Sequence, residues 1–295
     1  MLKLKQILVP VDFSERSAAA ARRAVLFAAR FDARLIFAHV IERFPYEGTE
    51  LERFYGENGE VISGKDLDAR YHRKLHEFTA RVAGSSPPEE ILLKGDPANQ
   101  IVQFAQEQGV DLILIPTHGH GPFRKFLLGS VTAKVLHDAD CPILTGTHRE
   151  EKPPEKPPPY RRIGCALDLS EQSEALLRWA DEFARAWEAK LVVIHATPPL
   201  PMMADDMHFV TADWRETVAR GAEKKVKDLV GKLSSEADIC IGNGDPVDFV
   251  TSTAAQQELD ALVIGRGMAR RQASRLPTHA YGIIRESPCP VFSLP

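Results

Sequence analysis

Leu112-Ile113-Leu114-Ile115-Pro116-Thr117-His118-Gly119-His120-Gly121-Pro122-Phe123-Arg124-Lys125-Phe126-Leu127-Leu128-Gly129-Ser130-Val131 is the stretch that decides how the chain folds. Leu112 to Ile115 is continuously apolar, the pattern of a parallel strand covered on both faces. A helix is expected to open near Ser130. Strand, glycine-bearing loop and helix N-terminus together offer backbone N–H groups and a positive dipole end, the two ingredients of an anion site. The question posed by these residues is whether the loop holds a phosphate.

Working outward, Ile7 to Val11 reads as a first strand and Asp12-Phe13-Ser14-Glu15 as the turn into a helix, with Ser14 as N-cap. Ala18, Ala21, Val25 and Ala28 recur at helical spacing, so that stripe is expected to face the core. Leu35 to Val40 gives a second strand, residues 41–66 a long polar connection, and Leu67 to Val82 a second helix. Ile91 to Lys94 forms a third strand. Gly95-Asp96-Pro97 turns it, and Pro97 suits the first position of a helix to Gln108. Leu112 to Ile115 is the fourth strand, a helix then runs through Asp138, and Cys141-Pro142-Ile143-Leu144 makes the fifth strand.

Beyond this the pattern restarts. Asp12-Phe13-Ser14-Glu15 recurs as Asp168-Leu169-Ser170-Glu171 and His39 as His195, both 156 residues on. Gly95-Asp96-Pro97 recurs as Gly244-Asp245-Pro246 and Cys141-Pro142 as Cys289-Pro290, in the same order. Ordered matches of this kind signal a tandem duplication. Between the copies lies Lys152-Pro153-Pro154-Glu155-Lys156-Pro157-Pro158-Pro159, a charged, proline-rich run suited to a semi-rigid linker. The expected organisation is a first domain over 1–147, a linker over 148–160 and a second domain over 161–295. Strands alternating with helices in each copy predict an α/β fold of two tandem, doubly wound, five-stranded parallel sheets. Such sheets bind ligands beyond the C-terminal ends of their strands, where the strand order reverses. Asp12, Val40 and the loop after Ile115 all follow strands and are expected to meet at that edge.

Composition narrows the field. The chain has 295 residues, 44% hydrophobic and 26% charged, the profile of a globular protein of two ordinary domains. A formal net charge of −4 gives no global attraction to nucleic acid or to an anionic membrane. The N-terminus reaches Asp12 after a short apolar run, which supports neither a signal peptide nor a membrane span. Cys141, Cys165, Cys240 and Cys289 are widely spaced without a CxxC pair, so buried free thiols in a reducing cytoplasm are expected. His118 and His120 stand two apart with no third ligand at metal spacing, and no metal site is assigned. Gly59 to Lys65 has Walker A spacing, but Asp66 stands where the magnesium-binding hydroxyl belongs.

Val9-Pro10-Val11-Asp12, Ser14-Glu15, Ala38-His39-Val40, Gly95-Asp96-Pro97, the Gly119 to Ser130 loop and Cys141-Pro142 together resemble the universal stress protein family. The resemblance covers both copies from first to fifth strand. It implies nucleotide binding and dimerisation rather than defined catalysis, with ATP or a related adenine nucleotide as the ligand and Mg²⁺ brought by that nucleotide. The ATP-binding members carry three spaced glycines after the fourth strand. On that pattern Gly119 matches the second, Gly129-Ser130 match the last pair, and nine residues separate them. The resemblance further implies Asp12 near ribose and adenine, Val40 against adenine through its backbone, and Val11, His118 and Val131 as neighbours of the ligand. Pro116 departs from the pattern, since it stands at the first glycine and has no N–H to give. In the second copy Gly265 and Gly267 remain while Pro277-Thr278 replaces Gly-Ser, so weak or absent binding is expected there.

Two further readings stay open on sequence. Pro116 and Pro277 also fit a nucleotide-free interaction scaffold, and bound ATP turned over slowly would make an ATPase, although no nucleophile or oriented base is evident. The fifth strands, Cys141 to Thr145 and Cys289 to Ser293, are short apolar edges that invite pairing. The family resemblance implies an intramolecular pseudo-dimer of the two domains, with a homodimer of whole chains also compatible.

Overall fold

The computed structural model describes residues 2–42, 54–55, 61–62, 64–84, 88–119, 128–147, 159–197, 212–266 and 278–295. The chain divides into two compact units whose main segments are Lys3–Gly146 and Pro158–Pro295.

The first unit contains β1 (Gln6–Pro10), α1 (Glu15–Phe31), β2 (Arg34–Ile41), a small hairpin of β3 (Phe54–Tyr55) and β4 (Val61–Ile62), α2 (Gly64–Val82), β5 (Glu89–Lys94), α3 (Pro97–Gln108), β6 (Leu112–Ile115), α4 (Ser130–Asp138) and β7 (Ile143–Thr145). Its main sheet is parallel throughout, in the order β5-β2-β1-β6-β7. The chain builds outward from β1 through β2 to β5, then returns to the other side of β1 for β6 and β7. Right-handed crossovers in opposite directions put the two helix pairs on opposite faces, and the pairs do pack as α1 on α2 and α3 on α4. The central strands are therefore covered on both sides, and Ile7, Leu8, Leu112 and Ile113 are fully buried.

The second unit repeats the plan with β8 (Arg162–Ala166), α5 (Ser173–Trp187), β9 (Lys190–Thr197), α6 (Ala212–Val230), β10 (Ala237–Asn243), α7 (Pro246–Gln256), β11 (Ala261–Gly265), α8 (Thr278–Glu286) and β12 (Val291–Leu294). Its order is β10-β9-β8-β11-β12, again all parallel. Its core includes an aromatic cluster, with Phe183 4.7 Å from Phe292 and 5.3 Å from Trp179 between ring centroids.

Local chemistry sets the helix ends as expected. Ser14 caps α1 by accepting from Ser17 N–H, and Asp96 caps α3 by accepting from Asn99 N–H, with Pro97 in the first turn. Several details differ from the sequence expectation. On α1 the buried positions are Ser17, Ala18, Ala21, Ala24 and Phe27, so Val25 and Ala28 stand half-exposed at the margin of the stripe. The connection expected over 41–66 contains the β3–β4 hairpin. Val61 and Ile62 of the Walker-like stretch are thus paired strand residues rather than a phosphate loop. The first helix of the second unit, α5, starts at Ser173, two residues later than the repeat implies, because Glu171 and Gln172 are spent in a turn. All four cysteines are free, but only Cys165 and Cys289 are buried, whereas Cys141 and Cys240 are half-buried. Among the described residues no helix is long and apolar enough to cross a membrane.

Candidate functional site

In the first unit the strand order reverses between β1 and β6, and the C-terminal ends of β1, β2 and β6 converge there on a cavity of about 430 Å³. Val11 and Asp12 line it from β1, Ala38, His39, Val40 and Glu42 from β2, Pro116 and Gly119 from β6, and Gly129 to Thr132 from the start of α4. Pro97 and Ile101 of α3 complete the wall. Seven of the eight positions singled out on sequence therefore share one cavity. His39, Glu42, Pro97, Ile101 and Thr132 join them without having been singled out as ligand contacts.

The loop after β6 is clamped onto α4. Gly129 N–H donates to the Thr117 carbonyl at 2.8 Å, and the Thr132 hydroxyl donates to the Pro116 carbonyl at 2.8 Å. Gly129 is the N-cap, and Ser130 is the exposed first residue of the helix. A glycine cap brings no side chain over the first-turn N–H groups, which leaves their donors to the cavity side. Both glycines sit at close approaches. A Cβ on Gly129 would lie 3.3 Å from the His118 Cα, and one on Gly119 would collide with Asp12 Oδ2.

Asp12 is set by its own turn, its Oδ1 accepting from Ser14 N–H at 3.0 Å and from the Ser14 hydroxyl at 2.6 Å. Oδ2 is left toward Gly119. The next residue, Phe13, has φ 66°, a left-handed conformation that a bulky residue adopts at a cost of about 1–2 kcal/mol. His118 is buried and does not line the cavity; its Nδ1 lies 3.2 Å from the Thr117 hydroxyl and 3.3 Å from Arg16 Nη1. Burial holds His39 below the usual histidine range, against the opposing pull of the Val11 carbonyl and the Asp12 carboxylate. Among the described residues no cluster of three or more His, Cys, Asp or Glu is placed to hold a metal, and His120 lies outside them.

A family model describing universal stress proteins matches residues 3–145 and again 159–295. The chain belongs to the universal stress protein family. A universal stress protein of Methanocaldococcus jannaschii, MJ0531, is 31% identical over 142 residues, covering 48% of this chain and 80% of that one. A universal stress protein of Thermus aquaticus is 34% identical over 143 residues, covering 48% of this chain and 96% of that one. Across the whole length, the crystal structure of a universal stress protein from Archaeoglobus fulgidus DSM 4304 matches with a TM-score of 0.69 at 20% identity, covering 99% of both chains. At that identity the likeness speaks for the fold alone.

The second half of this universal stress protein keeps part of the apparatus. Asp168 Oδ1 accepts from Ser170 N–H at 3.0 Å and from the Ser173 hydroxyl at 3.1 Å. Burial opposes ionisation there, but these hydrogen bonds prevail and hold Asp168 below the usual carboxylate range. Gly265 stands where the first half has Pro116, and Arg266 after it is 1% exposed. Gly267 and Pro277 lie outside the described residues.

Proposed function

We propose that the first unit of this universal stress protein binds ATP or a related adenine nucleotide, and that binding serves stress response or signalling in the cytoplasm. The observation that carries the reading is the meeting of Asp12, Val40, Gly119 and the glycine-capped start of α4 around one cavity at the strand-order reversal. Gly129, Ser130 and Val131 offer first-turn N–H groups and a hydroxyl to phosphate, and Gly119 lets the backbone come close. Asp12 faces the ribose, Val11 and Val40 flank the adenine, and His118 steadies the loop through Thr117 and Arg16. The described lining holds two carboxylates, Asp12 and Glu42, and no Lys or Arg. Phosphate charge is then met by the helix dipole, backbone amides and Mg²⁺ arriving with the nucleotide.

The same reading assigns 1–147 as the binding domain, 148–160 as the linker and 161–295 as a second domain that binds weakly or not at all. Isothermal titration with ATP and Mg²⁺ tests it: saturable binding is expected, and Gly129→Glu should abolish it by placing bulk and negative charge beside the His118 backbone. Pro116, lacking an N–H at the cavity edge, favours the competing scaffold reading, for which the titration gives no heat. We further propose that the two domains associate through β7 and β12 as a pseudo-dimer within one chain. Cross-linking with mass spectrometry should join residues flanking those strands; links confined within each domain would reject the arrangement.

A further inference from the structure

His39 stands in β2 between Ala38 and Val40, and from sequence alone it reads as a strand-end residue with a structural part. Its Nδ1 lies 2.6 Å from the Val11 carbonyl oxygen. A carbonyl only accepts, so Nδ1 carries the proton of the neutral ring and Nε2 is left with the lone pair. The ring is packed against Phe13 at 4.4 Å and Tyr71 at 4.8 Å between centroids, and it also lines the cavity.

The residue it grips is the one before Asp12. Val11 N–H already donates to the Ala38 carbonyl at 2.8 Å, so the His39 bond places a second link from β2 on the same residue. Immediately beyond, Phe13 takes its left-handed turn under the His39 ring, and the Asp12 carboxylate is delivered to Gly119 between these two fixed points. The second unit reproduces the device. His195 Nδ1 lies 2.8 Å from the Leu167 carbonyl, Leu167 N–H donates to the Ile194 carbonyl at 2.9 Å, and Leu169 has φ 59°.

We infer that His39 is a positioning residue of the nucleotide site: through Nδ1–H it fixes the Val11 carbonyl, and so the peptide plane that aims Asp12 at the ligand. This rests on the nucleotide reading above. The chemistry predicts which substitutes succeed. The amide nitrogen of asparagine falls where Nδ1 lies, that of glutamine falls near Nε2, and phenylalanine keeps the ring without a donor.

The test is titration of the full chain with ATP and Mg²⁺, comparing the unmodified protein with His39→Asn, His39→Gln and His39→Phe, each checked for cooperative melting. His39→Asn should keep its affinity within about threefold, while His39→Gln and His39→Phe should lose about tenfold or more, because the Val11 peptide and the Asp12 carboxylate must then be ordered at the moment of binding. Undiminished binding by His39→Phe overturns the inference, and so does a loss in His39→Asn as large as in His39→Phe. Absence of binding by the unmodified protein overturns the nucleotide reading and this inference with it, a result visible before any variant is made. If the variants do not fold, long-range ¹H–¹⁵N spectra of the unmodified protein decide: a neutral His39 ring protonated at Nδ1 is expected, and protonation at Nε2 overturns the assignment.

Discussion

Asp12 is committed before any ligand arrives, since the Ser14 backbone and hydroxyl hold Oδ1 and Gly119 stands against Oδ2. His39 stands behind it, and its titration gives a prediction independent of nucleotide. Burial lowers its folded pKa below the ordinary 6.5, so below that pH the unfolded chain takes up the proton more readily than the folded one. Its contribution is therefore fully present above 6.5 and is lost as pH falls through that value toward the folded pKa. Denaturant unfolding across this range should show stability dropping with acidity, and His39→Asn should make the drop shallower; an unchanged slope would show that His39 is not the group responsible. The resemblance to the family singled out Asp12 and Gly119, and the fold brings both to the edge of one cavity. His39 was not singled out, because a histidine inside an apolar strand has the same appearance whether it packs or positions. The clue available was its recurrence as His195 at the same 156-residue interval as the aspartate it serves.

At the scale of elements, what matters for the site is that α4 begins with glycine and that α1 locks onto the sheet beside Asp12. Strand and helix order, the Ser14 and Asp96 caps and the Pro97 start could all be read from sequence, since each depends on contacts within a few residues. The phase of the α1 stripe could not. Ala18 to Ala21 and Ala24 to Ala29 are apolar almost all the way round, so periodicity does not choose between adjacent stripes. Tertiary packing chooses, and it buries Phe27 completely while leaving Val25 half-exposed. Phe27→Ala should accordingly cost about 3–5 kcal/mol in chemical unfolding, and Val25→Ala about 1 kcal/mol or less. Equal costs would contradict the observed phase. The β3–β4 hairpin was equally hidden, because strands of two residues are too short to show alternation.

For the whole molecule, duplication is the organising fact, and its ordered matches made the tandem fold readable before any coordinates. The two copies then diverge where a ligand would sit. The first keeps Gly129-Ser130 at the start of α4 and has Pro116 at the cavity edge; in sequence the second has Gly265 in place of Pro116 and Pro277-Thr278 in place of Gly129-Ser130. If the helix N-terminus supplies the decisive phosphate contacts, the first copy is the functional one and the second is a partner in architecture. Equilibrium titration of the full chain with ATP and Mg²⁺ tests this most directly. The account predicts saturable binding of one nucleotide per chain, lost in Gly129→Glu, whereas silence at high micromolar nucleotide, or binding indifferent to Gly129→Glu, would contradict it.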